Sequence, residues 1–320
     1  MTQTKKKVAV LMGGWSAERE VSLISGGAAC KALQELGHEV LAIDVQRDPL
    51  GLVQTLTLQS TGKPDVVFNA LHGRVGEDGT IQGLLEFIGI PYTHSGVLAS
   101  AVAMDKPMMK IVASQAGVRC PQGVVVTREK IVQDGYPMKP PFVIKPTNEG
   151  SSVGVRLVTS EEDLQKIEED GWIYGDTVLI ETFIAGHELT VAVLGHGHEA
   201  KALAVTELRP KGGHAFYDYT AKYSSGETDH LLPAPLPQEV YDEAMRLAVL
   251  AYRAAGCHGA ARADFRWNDA QKGTEGLYFL EINTQPGMTP LSLLPEQAQY
   301  AGMSFNDLIQ WMLDHPTCPA

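Results

Sequence analysis

The chain has 320 residues, a net charge of -12, a pI near 5.3 and 20% charged residues. At about 150 residues per domain that length predicts two or three domains, and the acidic balance argues against a general nucleic-acid or anionic-membrane surface, so an anionic substrate needs a local cluster of cations. Cys30, Cys120, Cys257 and Cys318 have no metal or disulfide spacing, which predicts a reducing, cytoplasmic setting. The apolar run Val8 to Met12 is too short for a signal segment, and no stretch is long enough to span a bilayer.

Lys7 to Met12 predicts a buried strand, followed by a Gly13-Gly14 loop and a helix to about Leu36 with Gly37 as its C′ residue. Strand, loop and helix in this order predict a doubly wound α/β unit. The loop lacks G-x-G-x-x-G, which disfavours a nicotinamide oxidoreductase. Glu18 stands where the helix begins, either as an acid favoured by the helix dipole or as a partner for a substrate ammonium. Asp65 to Ala70 is a third strand ending in Leu71-His72-Gly73-Arg74, where His72 is a site residue or a loop histidine. A helix from Thr80 to Ile88 follows, then a helical stretch from Val97 to Gly117 broken at Met104-Asp105-Lys106-Pro107. The expected division is 1–97, 98–184 and 185–320.

Strands are predicted at Val124 to Thr127 and at Phe142 to Pro146, the second ending in Lys145. The segment Thr147 to Gly154 then leads into a strand, Val155 to Val158, a Gly/Ser flap rather than a P-loop. Its backbone N–H groups can wrap phosphate oxygens, or it is an ordinary hairpin turn. Ser160 can cap a helix from Glu161 to Glu169. Thr177 to Ile180, Glu188 to Leu194 and Ala200 to Leu208 are further strands, with His196 and His198 as turn residues. Arg209 to Pro237 reads as a long connection without secondary structure, and Phe216 to Tyr223 carries aromatics and a lysine suited to a lid. A strongly amphipathic helix is expected at Gln238 to Ala255 and a closing helix at Phe305 to Leu313.

Between these helices, Ala260 to Arg266 and Leu277 to Asn283 alternate with period two. Paired antiparallel about Lys272-Gly273, they set Asp264 opposite Glu281 and Arg262 opposite Asn283 on one face. Ala263, Phe265, Leu280 and Ile282 then form a core face. Two carboxylates and an amide oxygen suit Mg²⁺ better than zinc, and like charges facing each other need compensation.

Lys145, the flap, Glu181, Asp264, Glu281 and Asn283 together resemble the ATP-grasp superfamily. Six motifs in order are similar to the D-alanine–D-alanine ligase family: Gly13-Gly14 through Ser22, Leu71 to Arg74, Met104 to Lys106, Glu149 to Gly154, Tyr217 to Tyr223, and Asn283 to Thr289. The resemblance implies an ATP-grasp fold, with an N-terminal parallel-sheet domain and ATP held between central and C-terminal lobes. It implies ATP-dependent ligation of two D-alanines through D-alanyl phosphate, for peptidoglycan synthesis, by a cytoplasmic homodimer. By the same resemblance Lys106, Lys145, Ser151, Ser152, Glu181, Phe183, Ile184, Glu188 and Lys222 bind ATP. Asp264, Glu281 and Asn283 hold two Mg²⁺ ions, or Mn²⁺. Glu18 and His72 meet the first D-alanine, Gly287, Ser292 and Leu293 the second. Glu18, Ser151 and Tyr223 form a triad, and Arg262 stabilises the oxyanion. Thr182 and Phe183 stand where the family has Lys-Trp; Gln285 and Pro290-Leu291 stand where it has Ser and Ser-His. D-lactate or D-serine as acceptor, and a non-catalytic nucleotide-binding regulator, are the alternatives.

Overall fold

A computed structural model describes residues 4–58, 62–150, 154–169, 171–211 and 228–317. The flap serines Ser151 and Ser152, and Lys222 and Tyr223 of the expected lid, lie outside the described residues.

The chain begins with β1 (Lys7–Gly13), α1 (Arg19–Glu35), β2 (Glu39–Val45), α2 (Pro49–Thr57), β3 (Val66–Asn69) and α3 (Thr80–Phe87). The three strands form a parallel sheet in the order β2-β1-β3. Val8 and Val10 meet Ala29, Ala32 and Leu33 of α1 on one face. Ala9 and Leu11 meet Leu52 and Leu56 of α2 and Ile81 and Leu85 of α3 on the other. A strand covered on both faces must be apolar throughout, which is why Val8 to Leu11 shows no alternation. The sheet is doubly wound, as expected. Near the end of β2 the two carboxylate oxygens of Asp44 accept from Arg19 at 2.9 and 2.7 Å.

Helices α4 (Val97–Met104) and α5 (Lys106–Gln115) lead to β4 (Gly123–Thr127), α6 (Arg128–Asp134), β5 (Phe142–Pro146), β6 (Arg156–Val158), α7 (Glu161–Glu169) and β7 (Thr177–Thr182). These strands make an antiparallel sheet in the order β4-β7-β5-β6. Its core holds Val126, Phe142, Ile144, Ile167 and Ile180.

The largest sheet, β10-β9-β8-β11-β12, is also antiparallel. It comprises β8 (His187–His196), β9 (Lys201–Pro210), β10 (Thr228–Leu231), β11 (His258–Trp267) and β12 (Leu277–Asn283). The helices α8 (Gln238–Ala254), α9 (Leu293–Tyr300) and α10 (Phe305–Asp314) complete the described α-helices and β-strands. One sheet face packs against α8 and also against Ala99, Ala103, Met109 and Ala113 of α4 and α5. On the other face Ala192, Leu194 and Ala260 join α1, α9 and α10 in one core with the N-terminal sheet. Further along that same face Glu188, Thr190, Arg262, Asp264 and Arg266 follow at alternate positions. A single sheet face thus passes from core to polar cleft.

Two expectations need correction. The connection from Arg209 to Pro237 is not without secondary structure, because β10 pairs with β9 inside it. The β11–β12 register matches the expectation at Arg262↔Asn283 and Asp264↔Glu281, but it shifts between Asp264 and Phe265, so that Phe265 faces Phe279. That bulge puts Phe279 in the core, its ring 5.6 Å from that of Phe265 in an edge-to-face contact. Leu280 is therefore not a core residue; it lines a cleft.

Candidate active site

The first cleft lies between the four-stranded and five-stranded sheets and is lined by Lys145, Glu181, Phe183, Ile184, Glu188, Asp264, Arg266 and Leu280, among others. Lys145 is diagonal to Glu181 across the β5–β7 pair, where Val143 faces Glu181 and Leu179 faces Lys145, so the two side chains share a face. Glu181 is 2% exposed and is clasped by two ammoniums, Lys145 on Oε1 and Lys110 on Oε2 at 2.5 Å. Burial pushes the Glu181 carboxyl up, but the two lysines outweigh it and hold the group below its ordinary value. Burial pushes the Lys145 ammonium down from its ordinary value. At the outer end Glu188 pairs with Arg266 at 3.2 Å. Arg266 also donates to the carbonyls of Ile184 at 3.0 Å and Gly186 at 2.8 Å, and its guanidinium lies 5.6 Å from the Phe183 ring centroid. Phe183 keeps an aromatic wall where Trp was the expected residue.

Deeper in the cleft stand Asp264 and Glu281, opposite each other as expected. Arg262 donates to both oxygens of Asp264 at 3.0 Å, and Thr190 Oγ1 donates to Oδ1 at 2.6 Å. Lys106 Nζ stands 2.8 Å from Glu281 Oε2 and donates to the Glu149 carbonyl at 2.7 Å. Asn283 Oδ1 accepts from the Gln285 N–H at 2.8 Å. Each facing carboxylate therefore has its own cation, which meets the compensation the sheet requires. The donor set fits Mg²⁺. It is all hard oxygen, and no group of three or more His, Cys, Asp or Glu side chains is placed to hold an ion among the described residues. Mg²⁺ accepts such a partial set because it takes its remaining ligands from water and substrate phosphates.

The second cleft is lined by Glu18, His72, Glu77, Arg262, Asn283, Gly287, Ser292 and Leu293, among others. Glu18 sits at the N-cap of α1 and is buried. His72 is fixed from both sides: Nε2 lies 2.9 Å from Ser25 Oγ and Nδ1 lies 3.2 Å from Glu77 Oε1. Burial raises the Glu77 carboxyl above its ordinary value, against the pull of His72 and with a push from the Glu18 carboxylate. Two buried carboxylates and an imidazole suit an ammonium guest. Gly73 has φ +71°, and a Cβ there would stand 2.9 Å from Glu18 Oε2, so the backbone must pass close to the carboxylate. At the far side Ser292 precedes the first turn of α9, and its Oγ accepts from the Thr289 N–H at 2.9 Å. A Cβ on Gly287 would stand 2.8 Å from that oxygen. A helix N-terminus with a hydroxyl beside it suits a carboxylate.

The two clefts share Lys106 and Glu281 on their common wall and enclose about 800 and about 890 Å³, open solvent at their mouths included. All the expected site residues within the described segments line one or the other. Glu77, Lys110 and Arg266 were not foreseen. Glu77 lies in the short Gly76-to-Gly79 segment that leads into the helix at Thr80, and Arg266 ends a predicted strand. Lys110 had one available signal, its four-residue spacing from Lys106 on a helix.

A cation-lined cleft between two antiparallel sheets, opening onto a pocket with buried acids at one side and a helix N-terminus at the other, suits an enzyme that sets an anionic nucleotide beside a small zwitterion. Comparison with known proteins is more specific. The family model described as D-ala D-ala ligase C-terminus matches residues 112–314, and the one described as D-ala D-ala ligase N-terminus matches residues 51–95. The chain is 49% identical over 317 residues to the D-alanine–D-alanine ligase of Rhizobium meliloti strain 1021, covering 98% of this chain and 99% of that one. It is 51% identical over 311 residues to that of Methylorubrum populi, covering 97% of each. Among solved structures, a D-alanine–D-alanine ligase from Bacillus anthracis complexed with ATP has a TM-score of 0.78 at 30% identity, covering 98% of this chain and 97% of that one. A D-Ala:D-Ser ligase from Enterococcus faecalis has a TM-score of 0.80 at 29% identity, covering 97% and 99%. The chain belongs to the D-alanine–D-alanine ligase family and has its ATP-grasp fold.

Proposed function

We infer that the chain joins two D-alanines to D-alanyl-D-alanine at the expense of ATP, releasing ADP and phosphate. The observation that carries this is the wall shared by the two clefts, on which Lys106 and Glu281 face both the nucleotide cleft and the amino-acid pocket. A carboxylate is a poor electrophile, so it must first gain a leaving group. The ammonium of the first D-alanine sits against Glu18, with His72 and Glu77 behind, which turns its carboxylate toward the nucleotide. A carboxylate oxygen bonds to the γ-phosphorus as the bond to the ADP oxygen breaks. Lys145 and Lys106 offset the charge that moves with the phosphoryl group. The second D-alanine, its carboxylate held by Ser292 and the α9 N-terminus beside Gly287 and Leu293, attacks the acyl carbon with its amine. Arg262 meets the oxyanion, the C–O bond to phosphate breaks, and the amine's surplus proton leaves.

Two Mg²⁺ ions, or Mn²⁺ in their place, would be held by Asp264, Glu281 and Asn283 with Glu281 shared, and would neutralise phosphate charge. Phe183 and Ile184 border the adenine and Glu188 meets the ribose, a placement supported by their position at the outer end of the nucleotide cleft. Ser151, Ser152, Lys222 and Tyr223 are assigned to flap and lid by resemblance alone. The dipeptide would serve peptidoglycan assembly in the cytoplasm, with the chain as a homodimer; no helix among the described residues is long and apolar enough to cross a membrane. The test is ADP release with ATP and Mg²⁺. It should depend on D-alanine and be absent with L-alanine; no ADP release with D-alanine present would point to a non-catalytic nucleotide-binding regulator instead.

A further inference from the structure

The nucleotide cleft leaves one buried cation without a task. Lys110 lies one turn beyond Lys106 on α5, so both side chains leave the same face of that helix. Lys106 reaches Glu281, whereas Lys110 is 8% exposed and lines neither cleft. Its Nζ stands 2.5 Å from Glu181 Oε2, and Lys145 takes the other oxygen. One carboxylate supplies one negative charge, so two ammoniums and Glu181 leave a surplus of +1 in a place that water screens poorly. A buried surplus charge is costly unless an anion meets it. Of the three groups, Lys145 and Glu181 line the nucleotide cleft and Lys110 stands behind them.

We propose that Lys110 is a positioning residue for nucleotide binding: by occupying half of the Glu181 carboxylate, it leaves the Lys145 ammonium undercompensated and turned to the nucleotide's phosphates. This deepens the ATP-ligase assignment above and rests on it. Without Lys110, Glu181 and Lys145 would close into a neutral pair and spend the charge inside the protein. The same competition acts on the Lys145 proton: burial pushes it off, Glu181 and Glu281 hold it, and Lys110 pushes against them.

Lys110→Met removes the charge and keeps most of the volume, and Lys145 remains to pair Glu181, so no buried carboxylate is stranded. Lys110→Gln keeps a polar side chain without the charge, and Lys110→Arg keeps the charge. Calorimetry on each full-length variant compares Mg²⁺-ADP with adenosine, which has no phosphate. ADP should weaken by about ten-fold in the Met and Gln variants, adenosine should stay within about two-fold, and Arg should restore ADP binding. In turnover the KM for ATP should rise while the KM for D-alanine holds. Unchanged ADP affinity in the Met or Gln variant would overturn the proposal. So would adenosine weakening in step with ADP, because Lys110 would then only shape the pocket. Failure of the unaltered protein to bind ADP is a separate result, and it would defeat the ligase assignment itself.

Discussion

Glu77 and Glu181 are both buried acids, and their neighbours drive them in opposite directions. Glu181 has two lysines and is held below the ordinary carboxyl value of 4.5. Its contribution to stability is therefore full above that value and is lost as pH falls through the lower, folded-state value. Glu77 has burial and the Glu18 carboxylate against it, and these outweigh His72 and a backbone hydrogen bond from Gly73, so it is raised above 4.5. A raised acid favours the folded state below its ordinary value, and that benefit disappears as pH climbs through the folded-state value. Glu77→Gln should thus raise the melting temperature near pH 7.5 and leave it unchanged near pH 4, while raising the KM for D-alanine. Equal effects at both pH values would contradict this. The metal assignment has its own check. The double change Asp264→Ala and Glu281→Ala should cut D-alanine-dependent ATP turnover by at least about 100-fold, and undiminished turnover would remove these acids from any metal role. Of the two buried acids, Glu181 was legible because it belongs to a recognisable set of residues. Glu77 was not, because the short Gly76-to-Gly79 segment has no periodicity that marks a buried position.

At the scale of elements, the β11–β12 hairpin was read correctly where the period-two rule holds and wrongly where it breaks. Arg262, Asp264, Glu281 and Asn283 pair as the alternation requires. The shift after Asp264 has no signature in Phe265-Arg266-Trp267, so Leu280 was assigned to the core although it faces the cleft. The same bulge releases Phe279 to pack on Phe265. The short helices α2, α6 and α9, of nine, seven and eight residues, were not among the expected elements. Helix α10 shows what a legible start looks like. Ser304 Oγ accepts from the Asp307 N–H at 3.1 Å, and Asp307 accepts in return from the Ser304 N–H at 3.0 Å. Ser304→Ala should cost about 1 kcal/mol in urea unfolding, with kcat unchanged; a loss of activity without a loss of stability would contradict a purely capping role.

Across the whole molecule, three sheets meet around two clefts, and the joints between them were the least legible feature. Contacts that span hundreds of residues leave no periodic trace. Gln285 is the sharpest example. It stands where the family pattern led to a serine, and it is 1% exposed. Its Oε1 accepts from Asn69 Nδ2 at 2.5 Å and its Nε2 donates to the Leu71 carbonyl, tying the strand that carries Asn283 to the end of β3 beside His72. Gln285→Ala should lower stability by about 2–4 kcal/mol, from the cavity and from the buried polar groups left unpaired. It should also raise the KM for D-alanine more than that for ATP, because the tie borders the amino-acid pocket. An equal rise in both would place the tie's influence elsewhere.

The central claim is that the shared wall lets a carboxylate take the terminal phosphoryl group before the second amine attacks. D-alanine labelled with ¹⁸O in its carboxyl group tests it most directly, with the released phosphate analysed by mass spectrometry after turnover with ATP and Mg²⁺. Passage through D-alanyl phosphate predicts one labelled oxygen carried into the phosphate for each peptide bond made. Phosphate free of label, alongside normal dipeptide formation, would contradict the account.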